Sequence, residues 1–194
     1  MKTLKTTIGI LSLTLLFIFT ACMNSEKRND GADKNVANET PLSVLNNIDG
    51  TTNEQSDLIL TTYLYVKDAL VNEDSKTAAE AGGDLVKQFK GFNVESYAQN
   101  DRQELQGIIE DATEHAQHIS ENPIDHQREH FDMLSKDMID LIAITGTSKK
   151  LYQDYCPMYN NDKGAHWLSD SKEIRNPYFG SKMMNCGEVI KEIN

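Results

Sequence analysis

Apolar residues recur at helical spacing over four stretches of the chain. Between Glu54 and Asn72, Leu58, Leu60, Tyr63, Leu64, Val66, Ala69 and Leu70 line one broad face, which predicts a first helix. A second begins after Asp74 or Ser75 as cap, carries Ala78, Ala79, Leu85, Val86 and Phe89, and stops at Gly91. Gly82 and Gly83 weaken its middle and predict a kink there. A loop through Phe92 and Tyr97 leads to a third helix, in which Leu105, Ile108, Ile109, Ala112, Ala116 and Ile119 keep a period of about 3.6 residues. Asn122 is the expected cap of a fourth helix, with Pro123 in its first turn, where a missing N–H does no harm. There Phe131, Leu134, Met138, Leu141 and Ile142 face inward, and Gly146 ends the helix.

Four amphipathic helices on short connections bury their apolar faces best as an antiparallel bundle. From Leu151 onward the pattern changes to aromatic residues punctuated by Gly and Pro, with extended pieces near Tyr152 to Cys156 and Ala165 to Leu168. The expected fold is therefore all-α, an antiparallel four-helix bundle with an irregular, partly extended C-terminal tail packed on it. A short two-stranded element or structured loop is expected in that tail, and a last short helix from Glu188 to Ile193.

The N-terminus carries a different message. Met1 to Ala21 has Lys2 and Lys5, an apolar stretch from Ile8 to Phe19 and small Ala21 before Cys22, the order of a secretory signal. Phe19-Thr20-Ala21-Cys22 resembles a bacterial lipobox, with Phe19 where Leu is commonest. That resemblance implies lipidation of Cys22 and attachment to a membrane by acyl chains rather than by a helix. Met23, rather than Asp, after the Cys implies the outer membrane, facing the periplasm or the cell surface. Residues 22–52, rich in Asn, Asp, Lys, Gly and Thr, read as a flexible tether, and 53–194 as the folded domain.

Charge narrows the partners. Asp and Glu number 30 against 19 Lys and Arg, a formal net charge of -11 that disfavours nucleic acid and anionic lipid surfaces. Most of these carboxylates are read as solvated helix faces.

Two groups of residues carry candidate chemistry. In the tail, Cys156, Met158, Met183, Met184 and Cys186 sit among turn-forming residues, outside any amphipathic pattern. Thiolate and thioether sulfur are soft donors that favour Cu(I), and thiolate also takes Zn(II). The competing reading is a Cys156–Cys186 disulfide closing a loop of about thirty residues, worth roughly 3 to 4 kcal/mol, in a structural or partner-binding module without metal. The second group flanks one turn: His115 and His118 near the end of the third helix, His126 and His130 near the start of the fourth. Antiparallel helices bring those ends together. By helical phase His126 and His130 lie on a rim beside Met133, His118 on a polar flank, and His115 nearer the core as a hydrogen-bonded packing residue. Zinc held by His118, His126, His130 and a carboxylate is the alternative metal reading. No phosphate-binding glycine loop opens a helix, and no nucleophile has an orienting group in sequence, so the chain is read as a non-enzyme.

The stretch Asp125-His126-Gln127-Arg128-Glu129-His130-Phe131 is followed by Cys156-Pro157-Met158, Lys163-Gly164-Ala165-His166-Trp167-Leu168-Ser169, Ile174-Arg175-Asn176-Pro177-Tyr178-Phe179-Gly180 and Met183-Met184-Asn185-Cys186-Gly187. This order resembles an uncharacterised bacterial domain family, from roughly Asp57 to the C-terminus. That family occurs free-standing, as secreted or lipid-anchored proteins, and as a C-terminal extension of periplasmic adaptor subunits of copper and silver efflux systems. The resemblance implies a domain that holds or hands over a soft ion, Cu(I) or Ag(I), to a metal-efflux or metallochaperone partner. Cys156, Met158, Met183 and Cys186 match its sulfur positions, and His126 and His130 its helical ones. Relatives carry an aromatic residue in place of His166.

Overall fold

The computed structural model describes residues 52–194. The leader over 1–21, the lipidated Cys22 and, but for Thr52, the tether over 22–52 lie outside the described residues. Four long helices follow in order: α1 (Thr52–Val71), α2 (Ser75–Lys90), α3 (Gln99–Glu121) and α4 (Ile124–Thr145). Each packs on the next, and α4 closes back on α1. The core stripe of α1 is Ile59, Leu60, Tyr63, Val66 and Leu70, and it meets Leu85 and Phe89 of α2, Leu105, Ala112 and Ile119 of α3, and Phe131, Leu134 and Met138 of α4.

The helix ends have local causes. Asp74 accepts the Thr77 backbone N–H at 3.0 Å and its hydroxyl at 2.7 Å, which satisfies an otherwise orphaned donor of α2. Gly146, at φ +70°, closes α4 by returning its N–H to Ile142 O. Asn122 does not cap α4. Its side-chain amide donates to His118 O at 2.9 Å and so serves the end of α3, while Pro123 takes the extended position before Ile124. Nor does α2 break at its glycine pair. A Cβ on Gly82 would stand 3.0 Å from Ala116 O and from Ile119 Cγ2, so the missing side chain lets α2 approach α3 closely within an unbroken helix.

The helical bundle and the two extended pieces of the tail are as expected, but the tail is a regular sheet with a third strand rather than an irregular segment ending in a helix. Residues after 150 form a three-stranded antiparallel sheet, β1 (Leu151–Cys156), β2 (Ala165–Ser169) and β3 (Glu188–Ile193), in the order β2-β1-β3. The expected last helix is β3. Six residues are too few to sustain a helix alone, Val189, Ile190 and Ile193 favour an extended backbone, and pairing with β1 satisfies that backbone. Strands β1 and β2 bury apolar residues on both faces and join the bundle core. Leu151, Cys156, Ala165, Trp167, Leu168 and Tyr178 belong to the same buried cluster as Tyr63 and Phe131. Tyr63 stacks on Phe131 at 5.1 Å, and its phenol oxygen, 2.7 Å from Ser135 Oγ, accepts the Leu168 backbone N–H at 3.1 Å. Among the described residues no helix is long and apolar enough to cross a membrane.

Asp154 is the exception in this interface. It is fully buried on β1, and neither carboxylate oxygen has a hydrogen-bond partner among the described residues. Burial pushes its pKa up to about 7, only partly opposed by Lys67. The folded state therefore favours the protonated carboxyl, while the unfolded chain titrates near 3.9. Stability is fully present below about pH 4, is lost as pH rises toward 7, and is flat above that. Asp154 contributes a fall on the order of a few kcal/mol across that window, and because Asp137 is raised to about 7 as well, Asp154→Asn should remove about half of the slope in urea midpoints that the two carboxyls produce. An unchanged slope in the variant would count against a buried, unpartnered Asp154.

Candidate metal site at the turn between α3 and α4

The connection between α3 and α4 is only Asn122 and Pro123, so the last turns of one helix lie beside the first turns of the other. Spacings of three residues on α3 (His115, His118) and four on α4 (His126, His130) then place four imidazoles together. His130 sits at the centre. Its ring stacks on His118 at 4.1 Å, with His126 at 4.7 Å and His115 at 5.4 Å between centroids. One donor atom from each of His118, His126 and His130 lies within 4.8 Å of the others. A tetrahedral ion with bonds of roughly 2.0–2.1 Å holds its nitrogens about 3.3 Å apart, so modest ring rotations close the triad.

The nitrogens are already sorted. His126 Nδ1 is 3.0 Å from Glu129 Oε2, and His130 Nδ1 is 3.2 Å from His115 Nδ1, which leaves Nε2 of both rings for an ion. Burial, helped by the neighbouring imidazoles His118, His126 and His115, pushes the His130 pKa down to about 4. His115 is also lowered, chiefly by burial. A neutral His130 keeps its lone pair at neutral pH, which a metal ligand requires. Behind His115, its Nε2 faces Asp137 Oδ2 at 3.9 Å. Burial first, then Asp111 and Asp140, raises Asp137 to about 7.

The sulfur residues make a separate group. Cys156, buried at the end of β1, and half-buried Cys186 are free thiols with sulfurs 3.5 Å apart. Burial, with Cys156 alongside, pushes the Cys186 thiol up, and the Met158 backbone N–H faces its sulfur. Asn176 builds the loop that carries Cys186. Its side chain accepts the N–H groups of Tyr178 and Phe179, and its amide donates to Cys186 O at 2.6 Å. Met158 and Met183 are exposed, at 49 % and 36 %. Met158 and Met133 line a cleft of about 680 Å³ between α4 and the turn at Tyr159–Asp162, where Asn160, Asn161 and Asp162 take positive φ. Among the described residues, three or more His, Cys, Asp or Glu donors converge only at His118, His126 and His130, so the thiols do not join the imidazoles in one cluster. His166 is outside the three-imidazole group, its ring against Tyr155 on the neighbouring strand. The sequence marks His115 only as a packing residue, and its pattern does not single out Asp137. Its signal was its place seven residues beyond His130, on the same flank of α4.

Residues 59–150 match the model of a family described as a protein of unknown function (DUF3347). That match supports an uncharacterised domain family over those residues. It ends at Lys150, just before β1, so the cysteine-bearing motifs lie beyond it. No curated protein and no solved structure matches the chain.

Proposed function

We propose that this protein is a metal-binding module of the cell envelope that holds a borderline transition-metal ion, copper or zinc, at His118, His126 and His130. The observation that carries the reading is the convergence of three imidazole donors within 4.8 Å across one turn. Their chemistry fits. Three imidazole nitrogens with no thiolate suit zinc and copper, and a fourth position left open allows ligand exchange with a partner. The module holds or hands over the ion and performs no covalent chemistry. An acylated Cys22 would keep it at the outer membrane, where a metal-efflux or metallochaperone partner would receive the cargo.

A second reading keeps metal handling but moves it to the tail. Two free thiols 3.5 Å apart favour Cu(I) or Ag(I) at Cys156 and Cys186, with Met158 and Met183 as thioether donors from neighbouring turns. Oxidation of the same pair to a disulfide would leave only the imidazole site.

Titrating Zn(II) and Cu(I) separately into reduced protein, against a chromophoric chelator, tests both readings. The imidazole site predicts one equivalent of Zn(II), lost in His130→Ala and retained in Cys156→Ser. Cu(I) binding that vanishes in Cys156→Ser and survives in His130→Ala would move the function to the tail. A protein that binds neither ion would end the metal reading.

A further inference from the structure

We propose that Asp137 and His115 are positioning residues of the imidazole site, a carboxylate–imidazole chain that fixes the tautomer and tilt of His130. This rests on the metal site proposed above. The polarity of the chain is forced once His130 binds an ion through Nε2. Its Nδ1 must then carry a proton, and the acceptor in reach is His115 Nδ1 at 3.2 Å. His115, accepting at Nδ1, carries its own proton on Nε2, the atom that faces Asp137. Asp137 Oδ2 is buried without a hydrogen-bond partner among the described residues, which leaves an acceptor at the end of the line.

The 3.9 Å gap between His115 Nε2 and Asp137 Oδ2 is too long for a hydrogen bond, and a ring swing of about 1 Å closes it. Positive charge arriving at His130 favours that closure, because it draws the proton chain toward the carboxylate. Glu129 stands in the same relation to His126, but its side chain is 64 % exposed where that of Asp137 is 18 %. Water competes for the first and much less for the second, so the chain through His115 carries the larger share of orientation. Asp111, Asp140 and Lys136 are the charged groups around Asp137, and their net negative charge opposes an ionised carboxylate until a cation binds.

Orienting partners of this kind change metal affinity by about 10–100-fold. The test is Zn(II) affinity of the full chain by chelator competition, together with the melting temperature of the metal-free protein. Asp137→Asn should weaken Zn(II) binding by about 10–100-fold while the metal-free melting temperature stays level or rises, because a buried carboxylate with no partner has been neutralised. His115→Ala should weaken binding similarly, and His115→Gln should recover part of the loss, since its amide oxygen can accept the His130 proton. Nitrogen chemical shifts of His130 in the zinc-loaded wild type should report a protonated Nδ1. If Asp137→Asn binds Zn(II) within twofold of wild type, or loses affinity only in step with its melting temperature, the chain has no orienting role. If wild type binds no Zn(II), or His126→Ala binds as well as wild type, the site itself falls and this inference with it. Wild-type binding that His126→Ala abolishes and Asp137→Asn leaves untouched overturns the chain alone.

Discussion

Trp167→Ala is expected to lower the unfolding free energy by about 3–5 kcal/mol, the range for truncating a fully buried aromatic residue. Trp167 is 0 % exposed on β2, meets the ring of Tyr178 edge-on at 5.9 Å, and reaches the stacked Tyr63 and Phe131 through it. The cavity cannot collapse easily, because the Tyr63 hydroxyl is held by Ser135 and by the Leu168 backbone. Its indole Nε1 has no hydrogen-bond partner among the described residues, so the residue contributes by packing and apolar burial. Urea unfolding followed by far-ultraviolet circular dichroism measures the effect. A cost under about 1 kcal/mol would mean that the sheet only rests on the bundle. Because the chain has a single tryptophan, wild-type fluorescence reports this interface directly.

A comparable loss, about 2–5 kcal/mol, is expected for Arg128→Met, although the residue lies in what reads as a polar stretch of α4. Its guanidinium is buried and donates from Nε to Pro177 O at 3.0 Å and from Nη2 to Leu70 O at 3.2 Å. One side chain thus ties α1, α4 and the Asn176–Gly180 loop together. Glu73 at 3.8 Å and Asp125 at 3.9 Å supply opposite charge at longer range. Met keeps most of the volume but strands Pro177 O, at about 1–3 kcal/mol, and takes the charge-assisted bond from Leu70 O, which keeps only the Glu73 N–H at 3.2 Å. Lys offers no such fork, so Arg128→Lys should recover little. Thermal unfolding gives the stability loss, and thiol labelling gives the local one. Cys186, carried by the loop that Arg128 anchors, should react faster in the variant, and an unchanged labelling rate would remove the anchoring role. Gly180 belongs to the same joint, at φ +55° and so close that a Cβ would stand 2.8 Å from Arg128 Nη2.

What could be read from sequence follows from the range of the interactions. The helices were legible because Asp74, Gly91 and Gly146 mark their ends locally and the apolar period marks their faces. Gly82 was visible but misleading, since its reason is a neighbouring helix rather than its own backbone. Glu188–Ile193 read as helical because its partner, β1, lies more than thirty residues earlier in the chain. The histidine cluster was legible because one short turn forces it. His115 and Asp137 were not, because what singles them out is the direction of particular nitrogen and oxygen atoms. Arg128 was hidden for a similar reason, as its acceptors are backbone carbonyls at residues 70 and 177.

The outer side of β3 has its own consequence. In the order β2-β1-β3 that strand is terminal, and its Val189 and Ile190 are exposed. An open edge with apolar residues invites another chain to add a strand and start a fibre. Here Glu188, Lys191 and Glu192 interrupt the run, and Glu192 is already engaged by Lys150 and Lys172. An incoming strand would have to strip water from those ions, so the sheet can end in open solvent while the protein stays dispersed.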